Sequence, residues 1–253
     1  MLRFFSKIRY KLAAQNKVGK YLRYAIGEIL LVVIGILIAL QVNNWNEAKK
    51  NSVLEKEYLL RIRQDLVKTR DRLNVDLGWQ RENVVLGELV LTSLRSCEMK
   101  PEDRDRFVKG LFNLGKFDAT LLVNTTLEEM KTSGRLVIIS NKDLVSEIIR
   151  LSRAFQTSQS QVEQLMQWSV HPVNIVQSKI IYLNLDEDTG LEQNIQWDNI
   201  EFNFSNACAD FEFKSAISSL INYTHENSRR DRELIQATEE LIASLDRNIR
   251  LLK

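Results

Sequence analysis

A single carboxylic acid lies at the start of the most apolar stretch of the chain. Glu28 directly precedes an uninterrupted apolar run that begins at Ile29. In a helix, steps of about 100° place Glu28, Gly35 and Ala39 on one face. Gly35 and Ala39 form a small-x-x-x-small pair that permits close helix approach, and an acid inside a membrane span typically serves an ion pathway or a partner. The alternative is a shallow Glu28 that pairs with Arg23 or a lipid headgroup.

The other side chains with catalytic or metal-binding potential form no recognised motif. The two histidines, His171 and His225, belong to no His-Glu-x-x-His pair. The acidic segment from Asp186 fails the calcium-loop spacing, because Gly190 falls at position 5 and Trp197 at position 12. The sequence contains neither a phosphate-binding loop nor a Gly-x-Ser-x-Gly turn. We therefore expect no enzyme activity, no metal and no cofactor.

The two cysteines, Cys97 and Cys208, are far apart in sequence and form no Cys-x-x-Cys pair. Each lies near the end of a predicted long helix. Two separate buried thiols are the interpretation we favour, because free cysteine packs as a small apolar residue. The alternative is a disulfide between them, which an oxidising compartment would permit.

The apolar residues 24–42 form the element that determines where the rest of the chain lies. Nineteen helical residues span roughly 28 Å, close to the hydrocarbon thickness of a bilayer. Tyr21, Tyr24 and Trp45 flank the stretch, as aromatic residues do at membrane interfaces. No small-x-small cleavage site follows it. The pattern predicts an uncleaved signal-anchor with one transmembrane helix.

The segment before this stretch is basic and predicts the orientation. Residues 1–27 contain no acid and seven bases, namely Arg3, Lys7, Arg9, Lys11, Lys17, Lys20 and Arg23. The whole chain carries +2, so residues 28–253 carry −5. Basic flanks stay in the cytoplasm. We expect a bacterial inner-membrane protein with a cytoplasmic amino terminus and a periplasmic carboxyl-terminal domain.

The basic segment, residues 1–23, also has apolar residues at helical spacing, including Phe4, Phe5, Ile8 and Leu12. This pattern is typical of an interfacial helix on an anionic inner leaflet, although it is equally compatible with a basic flank whose periodicity is accidental. Nucleic acid is not expected as a partner, since anionic lipid accounts better for the basic charge.

Two segments resemble a known family. Residues 24–47 read Tyr-Ala-Ile-Gly-Glu-Ile-Leu-Leu-Val-Val-Ile-Gly-Ile-Leu-Ile-Ala-Leu-Gln-Val-Asn-Asn-Trp-Asn-Glu, and residues 131–144 read Lys-Thr-Ser-Gly-Arg-Leu-Val-Ile-Ile-Ser-Asn-Lys-Asp-Leu. The first closely resembles the start of an uncharacterised family of single-pass bacterial membrane proteins, known only as a domain of unknown function. The second is similar in style to the same family. The resemblance implies a membrane anchor and a helical domain, and it supplies no activity.

The pattern of residues 43–253 predicts an all-α domain. We expect an antiparallel bundle of long helices that lies outside the cytoplasm. Glycine and proline are scarce, which favours long helices. The first helix continues from the membrane span near Asn43 or Asn44 to about Cys97, with Gly78 and Gly87 as weak points. A short helix covers 103–115.

Further helices follow from their capping residues. Asn124 or Thr125 caps the next helix, which Gly134 ends. Asn141 caps a long helix that Pro172 should kink or split. Residues 184–204 predict a loop with a strand-like piece at 200–204, and the last helix spans 205–252. Its coiled-coil spacing comprises Leu234, Thr238, Leu241, Leu245, Asn248 and Leu252.

Two functions are compatible with this organisation. The first is a membrane-anchored, non-enzymatic interaction or scaffold module outside the cytoplasm, working as a homo-oligomer or with a membrane protein partner. The second is a subunit of an ion- or proton-coupled membrane complex that uses Glu28 in its span.

Overall fold

The computed structural model describes residues 18–183 and 196–252, and helices make up most of them. Their bounds are α1 Val18–Ser96, α2 Arg104–Asn113, α3 Thr125–Thr132, α4 Lys142–Gln177, α5 Phe204–Ala209 and α6 Phe211–Leu251. Two strands, β1 Ile181–Tyr182 and β2 Ile200–Glu201, pair antiparallel, with Ile181 opposite Glu201. Short 3₁₀ turns lie at Pro101–Asp103, Arg135–Ile138 and Trp197–Asn199.

The chain divides into two compact units, residues 1–56 and 57–253. In the first unit, the described residues belong to α1. Its large apolar side chains are exposed all around the helix, from Ile29 through Val42. This α1 segment is long and apolar enough to cross a membrane by length and composition. No described side chain of the unit covers this surface.

The second unit, here called the helical domain (residues 57–252), is built on α1, α4 and α6. The α1–α6 contacts are Arg63 with Asp246, Gln80 with Asp231, and Gly87 with Ile221. The α4–α6 contacts are Asn141 with Asn248 and Trp168 with Tyr223. In both sets the residue number on α6 falls as the residue number on its partner helix rises. Helix α6 therefore runs antiparallel to both α1 and α4.

Apolar residues at three- and four-residue intervals hold this arrangement together. On α1 the buried positions include Leu59, Ile62, Leu66 and Leu73, and on α6 they include Leu234, Leu241 and Leu245. This spacing keeps one stripe of each helix facing its neighbour. The stripe predicted for the last helix is buried from Leu234 through Leu245, whereas Asn248 and Leu252 at its end are half-buried.

An aromatic cluster closes the end of the domain near the carboxyl end of α1. Phe107 of α2 is fully buried, with the ring centroids of Trp197, Phe202 and Phe204 at 6.2, 5.7 and 5.7 Å. A side chain at Gly110 would lie 2.8 Å from the carbonyl oxygen of Leu86, so glycine lets α2 approach the α1 backbone directly.

The predicted helix ends are confirmed where capping chemistry is local. The Asn141 side chain accepts hydrogen bonds from the backbone N–H groups of Asp143 and Leu144. Gly134 adopts a left-handed conformation, with φ of 68°, just after α3. A side chain would make this conformation costly, which explains why glycine ends the helix.

One helix prediction is confirmed and two are corrected. The first helix ends where the sequence predicts, because α1 runs unbroken through Gly78 and Gly87 to Ser96. The split at Pro172 does not occur, because α4 runs through the buried Pro172 to Gln177, and the kink stays a prediction. The last helix is two helices, since Asp210 is extended and its carboxylate accepts from the N–H of Phe213, which starts α6 afresh.

Candidate functional site

The predicted face of the apolar stretch carries Glu28, Gly35 and Ala39. Gly35 and Ala39 are exposed, and a side chain built at Gly35 would meet nothing within 4 Å. Glu28 is half-buried and has interactions of its own. The small-residue face is therefore open for another helix to approach. That a second helix occupies it stays a prediction.

Most of the basic segment, residues 1–23, which we call the basic arm, lies outside the described residues. This applies to Arg3, Lys7, Arg9, Lys11 and Lys17, and so does the predicted interfacial helix that carries them. Lys20 and Arg23 fall within α1, but their side chains are not described. Contact of the arm with an anionic leaflet stays a prediction.

The interpretation of Cys97 and Cys208 as two separate thiols is wrong. The structure joins them in a disulfide, with their Cα atoms 5.4 Å apart and a sequence separation of 111. Cys97 directly follows α1 and Cys208 lies in α5, so the folding of the chain brings distant helix ends together. A disulfide fits a domain that lies outside the cytoplasm.

The histidines do not form a site in the described part of the chain. His171 and His225 are both exposed, and His225 lies 3.9 Å from a carboxylate oxygen of Glu88. The acidic segment that contains Asp186 and Gly190 falls outside the described residues. Within 18–183 and 196–252, no group of three or more His, Cys, Asp or Glu side chains is placed to hold a metal ion.

The helical domain contains a group of buried polar side chains that sequence reasoning missed. Gln80 and Asn83 of α1 face Asn227 and Asp231 of α6, and we call these four residues the polar layer. Their exposed fractions are 3%, 3%, 1% and 3%. The Gln80 side-chain N–H donates to the Asp231 carboxylate at 2.6 Å, which ties the two helices together at this level.

The polar layer is incompletely hydrogen-bonded among the described residues. Both side-chain polar atoms of Asn83, Oε1 of Gln80 and Oδ1 of Asn227 have no partner there. The Asn227 amide N–H donates to the backbone oxygen of Asp118 at 3.4 Å. An unsatisfied buried polar group costs about 1 to 3 kcal/mol, so this layer opposes the packing around it.

Neighbouring hydroxyls on the same helix do not share this property. Thr224 and Ser228 are also buried, but each donates back to a carbonyl of α6, at 3.0 and 2.9 Å. Hydroxyls can satisfy themselves on their own helix in this way. The primary amides of the polar layer carry both a donor and an acceptor, so they require partners from beyond their own turn.

Burial raises the pKa of the Asp231 carboxyl to about 6. The hydrogen bond from Gln80 opposes this change, while the nearby carboxylates Asp76 and Asp118 add to it and Arg230 opposes it. Removal from water disfavours the charged form of a carboxyl group, and the two neighbouring acids disfavour it further. Asp231 therefore changes its charge in a pH range where an ordinary aspartate is fully ionised.

The sequence did contain a signal for the polar layer. The alternating three- and four-residue spacing continues backwards from Leu234 to Asp231, Asn227 and Thr224. The same spacing on α1 runs through Leu73, Asp76, Gln80 and Asn83. Polar residues on consecutive positions of two buried stripes predict a polar level in the core. The predicted stripe begins only at Leu234, and so it does not include this level.

A second polar network joins α1 to the segment around α3. Glu129 accepts hydrogen bonds from the Tyr58 hydroxyl, at 2.9 Å, and from the Arg61 guanidinium, while Arg135 donates to the same hydroxyl. The bonds from Arg61 and then Tyr58 lower the pKa of the Glu129 carboxyl. This network is fully partnered, and its Arg61 and Glu129 side chains are more than a third exposed, which is typical of a structural tie.

Comparisons with known proteins reach only part of the chain. No curated protein and no solved structure matches it. Residues 28–100 match the sequence profile of a family of unknown function, DUF6090. The matched segment starts at Glu28 and contains residues 29–42 of the apolar stretch, the α1 half of the polar layer and Cys97.

Proposed function

We propose that this protein is a membrane-anchored, non-enzymatic interaction or scaffold module whose helical domain works outside the cytoplasm. Residues 24–42 of α1 would be its single transmembrane helix, and residues 1–23 would lie on the cytoplasmic side. The bacterial inner membrane and the periplasm are the compartments that this topology implies.

One observation carries the proposal, and it is the exposure of the apolar stretch. The helix is apolar all around from Ile29 to Leu40, and the described residues leave that surface uncovered. In water such a surface would be strongly unfavourable, at about 25 cal/mol for each Å². A bilayer removes this cost, since lipid tails are as apolar as the side chains themselves.

The disulfide supports the location proposed for the helical domain. Stable disulfides are rare where thiols are kept reduced and common outside the cytoplasm. The Cys97–Cys208 bond lies in the part of the chain that follows the apolar stretch, on the side without the basic arm. Charge and redox chemistry therefore favour the same orientation by independent arguments.

The open face of Gly35 and Ala39 supports the interaction role. Small residues at this spacing let two helix backbones pack closely in a membrane. Chemical crosslinking in native membranes, followed by affinity purification and mass spectrometry, tests this role. We expect a crosslinked dimer or one reproducible membrane protein partner.

Matched variants give that experiment its specificity. Gly35→Leu fills the open face and should remove the crosslinked species, whereas Val33→Leu changes the opposite face and should preserve it. A chain that remains monomeric and partnerless in its own membrane contradicts the interaction role, even if it stays anchored.

Glu28 favours a second function, a subunit of an ion- or proton-coupled membrane complex. It is the single acid or base between Arg23 and Glu47, and the helical repeat puts it on the face of Gly35 and Ala39. Under this proposal, Glu28→Gln abolishes function in a complementation assay while membrane insertion is unchanged. Full activity of that variant would eliminate this alternative.

A further inference from the structure

The polar layer contains an arrangement that a proton would complete. The Gln80 amide donates through its nitrogen to one oxygen of Asp231, and the oxygen of the same amide has no partner among the described residues. An ionised carboxylate can only accept hydrogen bonds, so it offers nothing to this amide oxygen. A protonated carboxyl group has an O–H donor, and an acid and an amide side by side can then form two hydrogen bonds.

A proton on Asp231 would act on the buried charge as well as on the hydrogen bonds. Three acceptor atoms of the layer lack partners among the described residues, on Gln80, Asn83 and Asn227. Of these, the oxygen of Gln80 belongs to the amide that already contacts Asp231. One proton taken from solvent gives this oxygen a donor and removes a buried charge at the same time.

We propose that the polar layer is a proton-binding site, at which protonation of Asp231 completes an acid–amide pair with Gln80 and tightens the α1–α6 contact. Loss of the proton leaves a buried carboxylate and an unsatisfied amide oxygen, and the contact loosens at this level. The helical domain then responds to the acidity of its surroundings independently of any partner.

The charges that face Asp231 act in the direction this proposal needs. Asp76 on α1 and Asp118 on the segment between α2 and α3 oppose ionisation, and Arg230 on α6 favours it. On α4, the antiparallel register places residues 154–162 at this level, and that stretch has no ionisable side chain. Two acids against one base leave the protonated form favoured over a wider range of pH.

Hydrogen–deuterium exchange of the full chain in lipid nanodiscs tests the proposal. After correction for intrinsic exchange rates, peptides that cover 76–84 and 224–232 should exchange about tenfold more slowly at pH 5 than at pH 7.5. The sign follows from linkage: a carboxyl pKa that folding raises adds stability at low pH, and this stability is lost as the pH rises through about 6. Peptides from the aromatic cluster around Phe107 should show no such change.

Three variants assign the effect. Asp231→Asn supplies a permanent amide donor of the same shape and should abolish the pH difference, with exchange as slow as in the wild type at pH 5. Glu239→Gln, at an exposed acid of the same helix, should preserve it. Gln80→Glu sets two carboxyl groups side by side and should move the transition to higher pH.

Each measurement can overturn the proposal. Wild-type exchange in the two peptides that is independent of pH contradicts it without any variant. Persistence of the pH difference in Asp231→Asn assigns the proton to another group. If Asp231→Asn does not fold, an unmoved transition in Gln80→Glu overturns the proposal in its place.

Discussion

Two stretches of a single helix, α1, contain similar apolar residues but lie in different surroundings. Residues 29–40 are apolar on every side and exposed within the molecule, whereas residues 57–96 bury only part of their surface, against α6 and the shorter helices α2 and α3. The first stretch needs an apolar environment, such as a bilayer, around it. The second stretch is covered by other helices of the same chain. The distribution of apolar residues around the helix, more than their number, separates a membrane anchor from a domain core.

The second stretch also tolerates what the first cannot. Residues 57–96 carry polar side chains on their buried stripe, with Gln80 and Asn83 in the polar layer, while residues 29–40 contain none. A protein interior can provide partners for polar groups at particular points, whereas a hydrocarbon layer cannot. Four experiments test the contrast between the two stretches.

The largest effect is expected from charge in the apolar stretch. Ile34→Arg combined with Leu37→Arg should cost about 5 to 7 kcal/mol of insertion free energy, since each arginine near the centre of a span costs about 2.5 to 3.5 kcal/mol. The variant should move from the alkali-resistant membrane fraction to the soluble or degraded fraction. Val75→Arg with Val85→Arg, at exposed positions of the second stretch, should stay in the membrane fraction.

Removal of the disulfide should have the next largest effect, and only on the helical domain. Cys97→Ser with Cys208→Ser opens a loop whose ends are 111 positions apart, for which the chain-entropy model predicts a loss of about 4 to 5 kcal/mol. Guanidinium unfolding of the full chain in detergent, followed by circular dichroism, measures it. A loss below about 1 kcal/mol would mean that the reduced chain keeps its ends together without the bond.

A leucine truncation compares the two stretches directly. Leu73→Ala should destabilise the helical domain by about 2 to 5 kcal/mol, because Leu73 is fully buried and the surrounding core cannot fully close the cavity. Leu37→Ala removes the same atoms from an exposed position and should leave the unfolding midpoint of the domain unchanged. Equal effects of the two variants on the unfolding midpoint would contradict the proposed distinction between the two stretches.

The smallest effect should be a gain in stability. Asn83→Leu replaces an unsatisfied buried amide with an apolar side chain of similar size and should stabilise the domain by about 1 to 3 kcal/mol. Asn74→Leu, at an exposed position of the same helix, serves as its control and should be neutral. A loss of stability in Asn83→Leu would show that the amide finds good partners in solution.

Sequence reasoning reached the features that depend on local chemistry. The apolar stretch, the Asn141 cap and the Gly134 helix end each follow from a few neighbouring residues. The buried stripe of α6 followed from periodicity alone, because one helix face must meet a core.

The features that sequence reasoning missed depend on contacts between distant parts of the chain. The Cys97–Cys208 bond requires the ends of two helices to meet, and nothing in the spacing of the cysteines reveals this. The helix break at Asp210 reflects competition between continuing a helix and capping the next one, with Lys179 holding the same carboxylate at 3.1 Å. The polar layer becomes visible in the sequence only when the buried stripes of α1 and α6 are aligned at the same level of the domain.

Labelling of single cysteines tests the proposed topology most directly. Both native cysteines are in the disulfide, so an introduced cysteine is the reactive thiol of each variant. Val75→Cys, on the exposed surface of the helical domain, should react with a membrane-impermeant maleimide in intact spheroplasts. Ser6→Cys should react only after lysis. Labelling of Ser6→Cys in intact spheroplasts, or protection of Val75→Cys until lysis, would contradict a cytoplasmic amino terminus with the helical domain outside.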